Sequence, residues 1–336
     1  MSSDLSSPDS PATAESPLPP DPHSWIPTLK AEISTVLIGQ QELVDRLIIC
    51  LLCNGHILLE GMPGVAKTLA VKALSGALDL DFSRLQFTPD LLPADLVGTM
   101  IYNPGEQNFS PKLGPIFSNL VLADEINRAP AKVQSALLEA MQERQVTIGD
   151  ASYPLPAPFL VLATQNPVDQ EGTYRLPEAQ LDRFLLKVLV DYPTAAEELQ
   201  VLRSMATTQP KTETTPVATI EQVNTSRAIL NDLYIDPAIE EYIINIIQAT
   251  RYPGKVDPAL QNLIRAGASP RASISLALAA KAVALTKGRD YVIPQDVKDL
   301  APDVLRHRLL LSYEAEAEQK SADDIILALL NKVPVP

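Results

Sequence analysis

The stretch that most constrains this chain is an eight-residue pattern, Gly-Met-Pro-Gly-Val-Ala-Lys-Thr, at residues 61–68. A mostly apolar run at 56–60 precedes it, and an apolar segment with helical spacing follows at 69–78. A strand, a glycine-containing loop and a helix in this order form a phosphate-binding loop, because backbone N–H groups and the helix N-terminus face an anion. Lys67 adds a full charge, and Thr68 can offer its hydroxyl to Mg²⁺. The predicted nucleotide-binding residues are Gly61, Met62, Pro63, Gly64, Val65, Ala66, Lys67, Thr68 and Leu69.

Residue 66 departs from the usual form of this loop, because Ala66 stands where a second glycine is common. Alanine tolerates helical dihedral angles but disfavours a positive φ. We therefore expect the helix to begin slightly earlier than usual and Gly64 to make the unusual turn.

Bulk properties limit the class of protein. A chain of 336 residues with 46% hydrophobic residues is long enough for two domains with ample cores. A net charge of −14 argues against general nucleic-acid binding and against a basic membrane-surface patch, although a local basic groove stays compatible with it. The sequence contains neither an apolar run of the ~18 residues that a membrane span needs nor a secretory signal pattern. We therefore expect a cytoplasmic protein.

The first 23 residues are rich in serine, proline and acidic residues and contain neither lysine nor arginine. Such a segment cannot bury enough apolar surface to offset the entropy of ordering it. We predict a disordered tail at 1–23, which is either merely solvated, the favoured interpretation, or binds a partner.

Two carboxylates, Asp124 and Glu125, follow the apolar run at 119–123. A buried parallel strand would deliver both side chains at its carboxyl end, where ligands bind in open α/β sheets. Asp124 would hold the Mg²⁺ shell, in part through water, and Glu125 would polarise the attacking water. The alternative is that the two acids cap the following turn, which is less attractive downstream of a phosphate loop.

Further strands are predicted at 82–87, 159–164 and 186–190. Asn166 follows the second of these, and its amide can contact the γ-phosphate or orient water. Taken alone, an Asx turn leading into Pro167 explains it better.

The turn-rich stretch at 95–113 indicates a hairpin-like insertion. A functional role for this insertion and a plain surface hairpin are about equally favoured. The apolar segment 36–40 could close over an adenine base.

The character of the chain changes after Pro193, where helical patterns dominate. We predict a core domain at 24–195, a linker at 196–219 and an all-helical domain at 220–336.

Arg183 lies at the C-terminal end of a short predicted helix, where a cation is favourable to the helix dipole. Arg271 lies in the first turn of a helix, where a cation is unfavourable. This hints at an anionic partner, and a solvated surface arginine explains it equally well.

Taken together, these motifs resemble those of the AAA+ ATPases and, within them, the MoxR family, over about residues 25–325. The segments that carry the resemblance are 61–68, Asp-Glu-Ile-Asn-Arg-Ala-Pro at 124–130, Ala-Thr-Gln-Asn-Pro at 163–167 and Pro-Glu-Ala-Gln-Leu-Asp-Arg-Phe at 177–184. The family loop also carries alanine before lysine.

The resemblance implies further roles for individual residues. Asn166 looks like the sensor-1 residue, Arg183 like the arginine finger that reaches a neighbouring subunit's γ-phosphate, and Arg271 like the sensor-2 residue of the lid. Gly39 and Gln40 look like part of the family's adenine-side segment. The insertion at 95–113 looks like the hairpin that faces the ring's pore in this branch.

The resemblance also implies a fold and a function. We expect an α/β AAA+ core, with a parallel five-stranded sheet between helices, followed by an all-α lid. ATP and Mg²⁺ would be used at the subunit interfaces of a ring, a hexamer, to drive chaperone-like remodelling of a client, with a von Willebrand factor A domain partner. Two alternatives are a nucleotide-sensing scaffold with little turnover and, less favoured, a DNA-directed motor.

Overall fold

The computed structural model describes residues 24–62, 64–105, 107–166, 174 and 176–336. The predictions of a disordered tail at 1–23 and of Pro63 in the nucleotide site therefore lie outside the described residues. Eleven strands occur in the described part of the chain: β1 (Ile57–Gly61), β2 (Phe82–Gln86), β3 (Gly98–Asn103), β4 (Asn108–Leu113), β5 (Leu120–Asp124), β6 (Gln145–Ile148), β7 (Ala151–Pro154), β8 (Leu160–Gln165), β9 (Leu186–Val190), β10 (Ile264–Ala266) and β11 (Leu310–Leu311).

The α-helices of the same residues alternate with these strands in the first half and dominate the second half. They are α1 (Trp25–Ser34), α2 (Gln41–Leu52), α3 (Lys67–Leu78), α4 (Pro93–Val97), α5 (Ala131–Glu143), α6 (Glu178–Leu181), α7 (Ala195–Met205), α8 (Ile220–Asp232), α9 (Pro237–Arg251), α10 (Pro253–Val256), α11 (Pro270–Thr286), α12 (Pro294–Leu305), α13 (Tyr313–Ala317) and α14 (Ala322–Lys332). Short 3₁₀ helices lie at Ile126–Arg128 and Pro258–Leu260. None of these helices is long and apolar enough to cross a membrane.

The central sheet has five parallel strands in the order β2-β5-β8-β1-β9. The apolar side chains of β1, β5 and β8 are almost fully buried, as expected for parallel strands covered on both faces. Alternate residues enter two different hydrophobic clusters: Leu120 and Leu122 pack on one face, and Val121 and Ala123 on the other. The predicted five-stranded α/β core is therefore confirmed.

Two hairpins extend from this core. β3 and β4 pair antiparallel within the segment 95–113, where the hairpin-like insertion is predicted. β6 and β7 form a second hairpin that the sequence did not indicate. The preceding helix α5 ends at Glu143 because Arg144 adopts a left-handed conformation with φ 55°. The chain thereby turns into the hairpin, which begins at Gln145.

The second half of the chain forms the lid, with two departures from the prediction. The predicted linker at 196–219 is helical at its start, because Thr194 and Glu197 form a capping box for α7. The lid is not purely helical, since β10 and β11 form a small antiparallel pair. Lid and core share one hydrophobic cluster, and Trp25 of α1 donates an indole hydrogen bond to Ser226 of α8 at 2.9 Å.

Candidate active site

The predicted phosphate-loop residues run from the last residue of β1 to the first turn of α3, at the carboxyl end of the sheet. Gly64 has φ 87°, as expected, but Ala66 has φ 59° and α3 begins at Lys67 rather than earlier. Our prediction that Ala66 would avoid the left-handed region is therefore wrong. The reason is that β1 and α3 are fixed by core packing on either side of the loop, and the chain must turn sharply immediately before the helix. A left-handed conformation costs an alanine about 1–2 kcal/mol, and the surrounding structure outweighs it.

Lys67 lies at the start of α3, with its ammonium group directed back to the loop. Its Nζ donates a hydrogen bond to the carbonyl oxygen of Gly61 at 2.7 Å. Partial burial lowers the pKa of Lys67, while the carboxylates of Asp124, Glu125 and Glu60 act in the opposite direction. The lysine is thus a cation held at a site where acidic groups converge.

The acidic pair is oriented by a hydroxyl on the adjacent strand. Thr164, in β8, donates from Oγ1 to Asp124 Oδ1 at 2.6 Å and accepts from the Glu125 backbone N–H at 2.8 Å. Glu125 has φ 55°, so the chain bends sharply after β5. One buried hydroxyl therefore fixes the positions of both acids.

Three further polar side chains contact the two carboxylates. Arg84 pairs with Asp124 at 2.6 Å, Gln86 Nε2 donates to Glu125 Oε2 at 3.0 Å, and Arg128 pairs with Glu125 at 2.8 Å. Both acids are thus compensated by cations on the same chain. Sequence reasoning did not assign Arg84, Gln86, Arg128 or Thr164.

A cavity of about 410 Å³ brings these groups together. It is lined by Gly61, Gly64, Ala66, Lys67, Thr68, Leu69, Arg84, Gln86, Asp124, Glu125, Thr164 and Asn166. Most of the predicted phosphate-loop residues and the predicted polar strand ends therefore meet in one place. Val65 is buried in the hydrophobic core, and Met62 packs partly against it, so neither side chain lines the cavity.

The oxygen donors in this cavity fit a magnesium ion. Mg²⁺ prefers hard oxygen ligands and is usually held by one or two protein groups together with phosphates and water. The Thr68 hydroxyl and the Asp124 carboxylate both line the cavity that contains Lys67. Their chemistry and shared location suit such a shell.

Gly39 and Gln40 lie outside the lining of this cavity. Both adopt positive φ values, 69° and 54°, at the start of α2. Gln40 Nε2 donates to the carbonyl oxygen of Asp191 at 2.8 Å, just after β9. A side chain on Gly39 would meet Glu197 of α7 at 2.9 Å, so this turn is closely packed. An adenine-side role for Gly39 and Gln40 stays a prediction.

Arg183 and Arg271 line a second cavity, of about 280 Å³, rather than the one that contains Lys67. Arg183 donates to Gln142 Oε1 at 3.0 Å and to the Ala179 carbonyl oxygen at 3.1 Å. Arg271 is exposed in the first turn of α11. The fold therefore places both arginines in the lining of one cavity, and a single chain does not bring either of them into the cavity that contains Lys67.

Family models match both halves of the chain. Residues 56–186 match the model described as "ATPase family associated with various cellular activities (AAA)", and residues 259–329 match the AAA lid domain. The parallel α/β core and the lid, together with these two matches, define a member of the AAA class.

Similarity to individual proteins identifies the family within the AAA class. The chain is 48% identical to Chaperone MoxR1 of Mycobacterium tuberculosis over 91% of its length and 81% of the relative's. It is 32% identical to the protein MoxR of Paracoccus denitrificans over 94% of its length and 98% of the relative's. The chain belongs to the MoxR family of AAA+ ATPases.

A solved structure agrees with this assignment. The crystal structure of a protein from Cytophaga hutchinsonii, described provisionally as an ATPase, is 51% identical and superimposes with a TM-score of 0.89. The match covers 94% of this chain and 96% of that one. The lid and the core described above therefore belong to an experimentally observed architecture.

Proposed function

We propose that this protein hydrolyses ATP at the subunit interfaces of a ring, a hexamer, and uses the energy to remodel client proteins. One observation carries the proposal: Lys67, Glu125 and Asn166 line one cavity, whereas Arg183 and Arg271 line another. A complete site therefore needs two chains. One chain would supply the loop and the acids, and its neighbour would supply the arginines.

Each residue of the first cavity has a role in this proposal. Lys67 and the loop amides bind the phosphates, with residues 61–69 around them. Glu125 orients the attacking water and draws its proton, while Asn166 contacts the γ-phosphate or that water. Thr68 and Asp124 would hold Mg²⁺, which when bound neutralises phosphate charge. Gly39 and Gln40 would lie on the adenine side.

The second cavity would receive the neighbour's nucleotide. Arg183 and Arg271 present two guanidinium groups whose fork geometry suits phosphate oxygens. An arginine finger typically raises the rate by about 10³–10⁵. We therefore expect a lone subunit to be nearly inactive and turnover to rise on assembly.

The β3–β4 hairpin is the proposed contact with the client. Tyr102 and Phe109 lie opposite each other near its tip, with ring centroids 5.2 Å apart, and are 49% and 65% exposed. An exposed aromatic pair on a projecting hairpin could press on an unfolded or loosely folded chain. The name of one relative, Chaperone MoxR1, supports this role. A partner with a von Willebrand factor A domain and a cytoplasmic location complete the proposal.

The experiment that tests this function is steady-state turnover with two variants. Glu125→Gln should bind ATP with unchanged affinity and hydrolyse almost none. Arg183→Ala should also bind ATP and assemble, but lose turnover by about 10³-fold or more. Arg203→Ala, an exposed arginine on α7 away from both cavities, is the matched control.

Two outcomes would contradict the proposal. If the assembled Arg183→Ala variant kept full turnover, the assignment of the finger would be wrong. If the unaltered protein bound ATP tightly but turned over at a negligible rate with or without partners, a nucleotide-sensing scaffold would be the better description.

A further inference from the structure

We propose that Asp182 is a positioning residue that holds Arg183 and Arg271 as one pair for the neighbouring subunit's nucleotide. This inference rests on the proposed function. Asp182 immediately precedes Arg183 and lies where the core meets the lid, with its side chain 18% exposed. Both of its carboxylate oxygens are engaged by lid residues. Oδ1 accepts from Arg308 Nε at 2.8 Å, and Oδ2 accepts from the Ser269 hydroxyl at 2.9 Å.

The Ser269 contact links Asp182 to Arg271. Ser269 is the N-cap of α11, and its Oγ accepts a hydrogen bond from the Arg271 backbone N–H at 3.2 Å. A hydroxyl can donate once and accept at the same time. Two consecutive hydrogen bonds therefore connect the carboxylate beside Arg183 to the backbone of Arg271. The first turn of α11 cannot shift against the core without breaking one of them.

The Arg308 contact fixes the same junction from inside. The Arg308 side chain is only 2% exposed. Its guanidinium group donates to the carbonyl oxygens of Phe184 at 2.7 Å and Leu185 at 3.2 Å. It also donates to the Ser275 hydroxyl of α11 at 3.2 Å. The Arg308 guanidinium therefore binds both the segment that follows Arg183 and α11, the helix that contains Arg271.

Charge explains why an acid is needed at this position. Four arginines line the second cavity, namely Arg144, Arg183, Arg271 and Arg308, and Asp182 is the one carboxylate in the described lining. Burial lowers the pKa of Arg308, Asp182 counteracts this, and the nearby Arg271 charge lowers it further. By pairing with the buried cation, Asp182 leaves the charges of Arg183 and Arg271 available for an external anion. Removing the carboxylate would leave a buried charge uncompensated.

The test is whether Asp182→Asn reproduces the behaviour of Arg183→Ala. Asparagine keeps the size and one acceptor but loses the charge. We expect unchanged ATP affinity and ring mass, an unchanged KM for ATP, and a kcat about 10- to 100-fold lower, the range that a small misplacement of a catalytic group produces. A kcat within twofold of the unaltered protein would overturn the inference, as would a loss of ATP affinity.

Mixing subunits of two variants shows whether the Asp182→Asn substitution slows turnover at the nucleotide site of the neighbouring subunit. Lys67→Ala subunits keep their arginines but cannot bind ATP, so they can complete the site of an Asp182→Asn subunit. Turnover of the mixture should exceed that of either variant alone, to the same extent as a mixture with Arg183→Ala. The triple variant Asp182→Asn/Arg183→Ala/Arg271→Ala should be no slower than Arg183→Ala/Arg271→Ala, because both arginines that Asp182 holds are already gone. A further tenfold loss there would show that Asp182 acts independently of the two arginines and would overturn the inference.

A milder variant guards against simple unfolding. Ser269→Ala keeps the Asp182–Arg308 pair and removes only the link to Arg271, so kcat should fall severalfold with KM unchanged. Ser321→Ala is its matched control, because it removes an equivalent helix cap from α14, away from the arginines. If Ser269→Ala and Ser321→Ala lose equal thermal stability and only Ser269→Ala loses kcat, the inference is supported. If kcat is the same in both variants, the inference is contradicted. Full turnover of Arg183→Ala would instead mean that the proposed function fails.

Discussion

Arg84 and Asp124 form an ion pair across the neighbouring strands β2 and β5. The Arg84 guanidinium approaches Asp124 Oδ2 through two nitrogens, at 2.6 and 3.2 Å. Asp124 is also the carboxylate proposed to hold Mg²⁺. The arginine side chain is 50% exposed, so the pair contributes at most about 1 kcal/mol. Arg84 is thus a weak competitor that a divalent cation can displace.

We predict that Arg84→Ala lowers the Mg²⁺ concentration needed for half-maximal ATP turnover by about two- to fivefold, because the competing cation is gone. The measurement is a Mg²⁺ titration at constant free ATP, with Arg203→Ala as the control for removing an exposed arginine. A higher Mg²⁺ requirement in Arg84→Ala would mean that Arg84 assists binding rather than opposing it.

The Thr164 hydroxyl gives a second prediction. Thr164 is 1% exposed and serves Asp124 and the Glu125 backbone at once. Thr164→Val keeps the shape but leaves an acceptor and a donor unpaired, at a cost of about 1–3 kcal/mol. We expect kcat to fall about tenfold, whereas Thr164→Ser should keep most of the activity because its hydroxyl remains. Equal turnover in the two variants would show that the hydroxyl does not orient the acids.

The sequence alone was enough to predict that side chains at the ends of neighbouring strands lie close together. Asp124 and Asn166 follow apolar runs, and parallel strands share one carboxyl edge, so their meeting with Lys67 could be predicted. Arg84 could not be found in this way. Its contact depends on β2 lying beside β5, with Gln86 in register with Asp124, and strand order is a property of the tertiary fold.

The contacts of the second cavity were equally hidden. Arg308 pairs with a carboxylate 126 residues earlier in the chain, and no local pattern marks either partner. The difference at Ala66 has another origin, because the flanking β1 and α3 impose a left-handed conformation there that outweighs the intrinsic preference of alanine. Local preference predicts well where nothing else acts on the backbone, and a loop between a buried strand and a packed helix is not such a place.

Ala66 leads to a prediction about stability. Glycine adopts φ 59° without the steric cost that an L side chain carries, although it is more flexible in the unfolded chain. We expect Ala66→Gly to raise the free energy of unfolding by about 0.5–1 kcal/mol while ATP still binds. Ala66→Val should lower it, since a branched side chain at positive φ is strained. Urea denaturation measures both, and a destabilised glycine variant would contradict the prediction.

His56 is a buried histidine that the catalytic proposal does not use. Its Nδ1 accepts from the Val161 N–H at 3.0 Å, and Nε2 lies 3.1 Å from the Met141 carbonyl oxygen, which fits a neutral ring that donates from Nε2. Burial, aided by the Arg144 charge, lowers the pKa of His56 to about 3. In the unfolded chain the pKa is about 6.5. Between these values the unfolded state therefore binds a proton that the folded state does not.

Because the unfolded state binds more protons, the free energy of unfolding should fall as the pH drops below about 6.5, at about 1.4 kcal/mol per pH unit for this residue. Burial also lowers the pKa of His307, which adds to the slope. His56→Gln should lose stability at neutral pH but show a shallower decline from pH 6 to 4.5. His23→Gln, in the predicted disordered tail, is the control. Urea denaturation at several pH values measures the slope, and a His56→Gln slope as steep as that of the unaltered protein would show that another group drives acid unfolding.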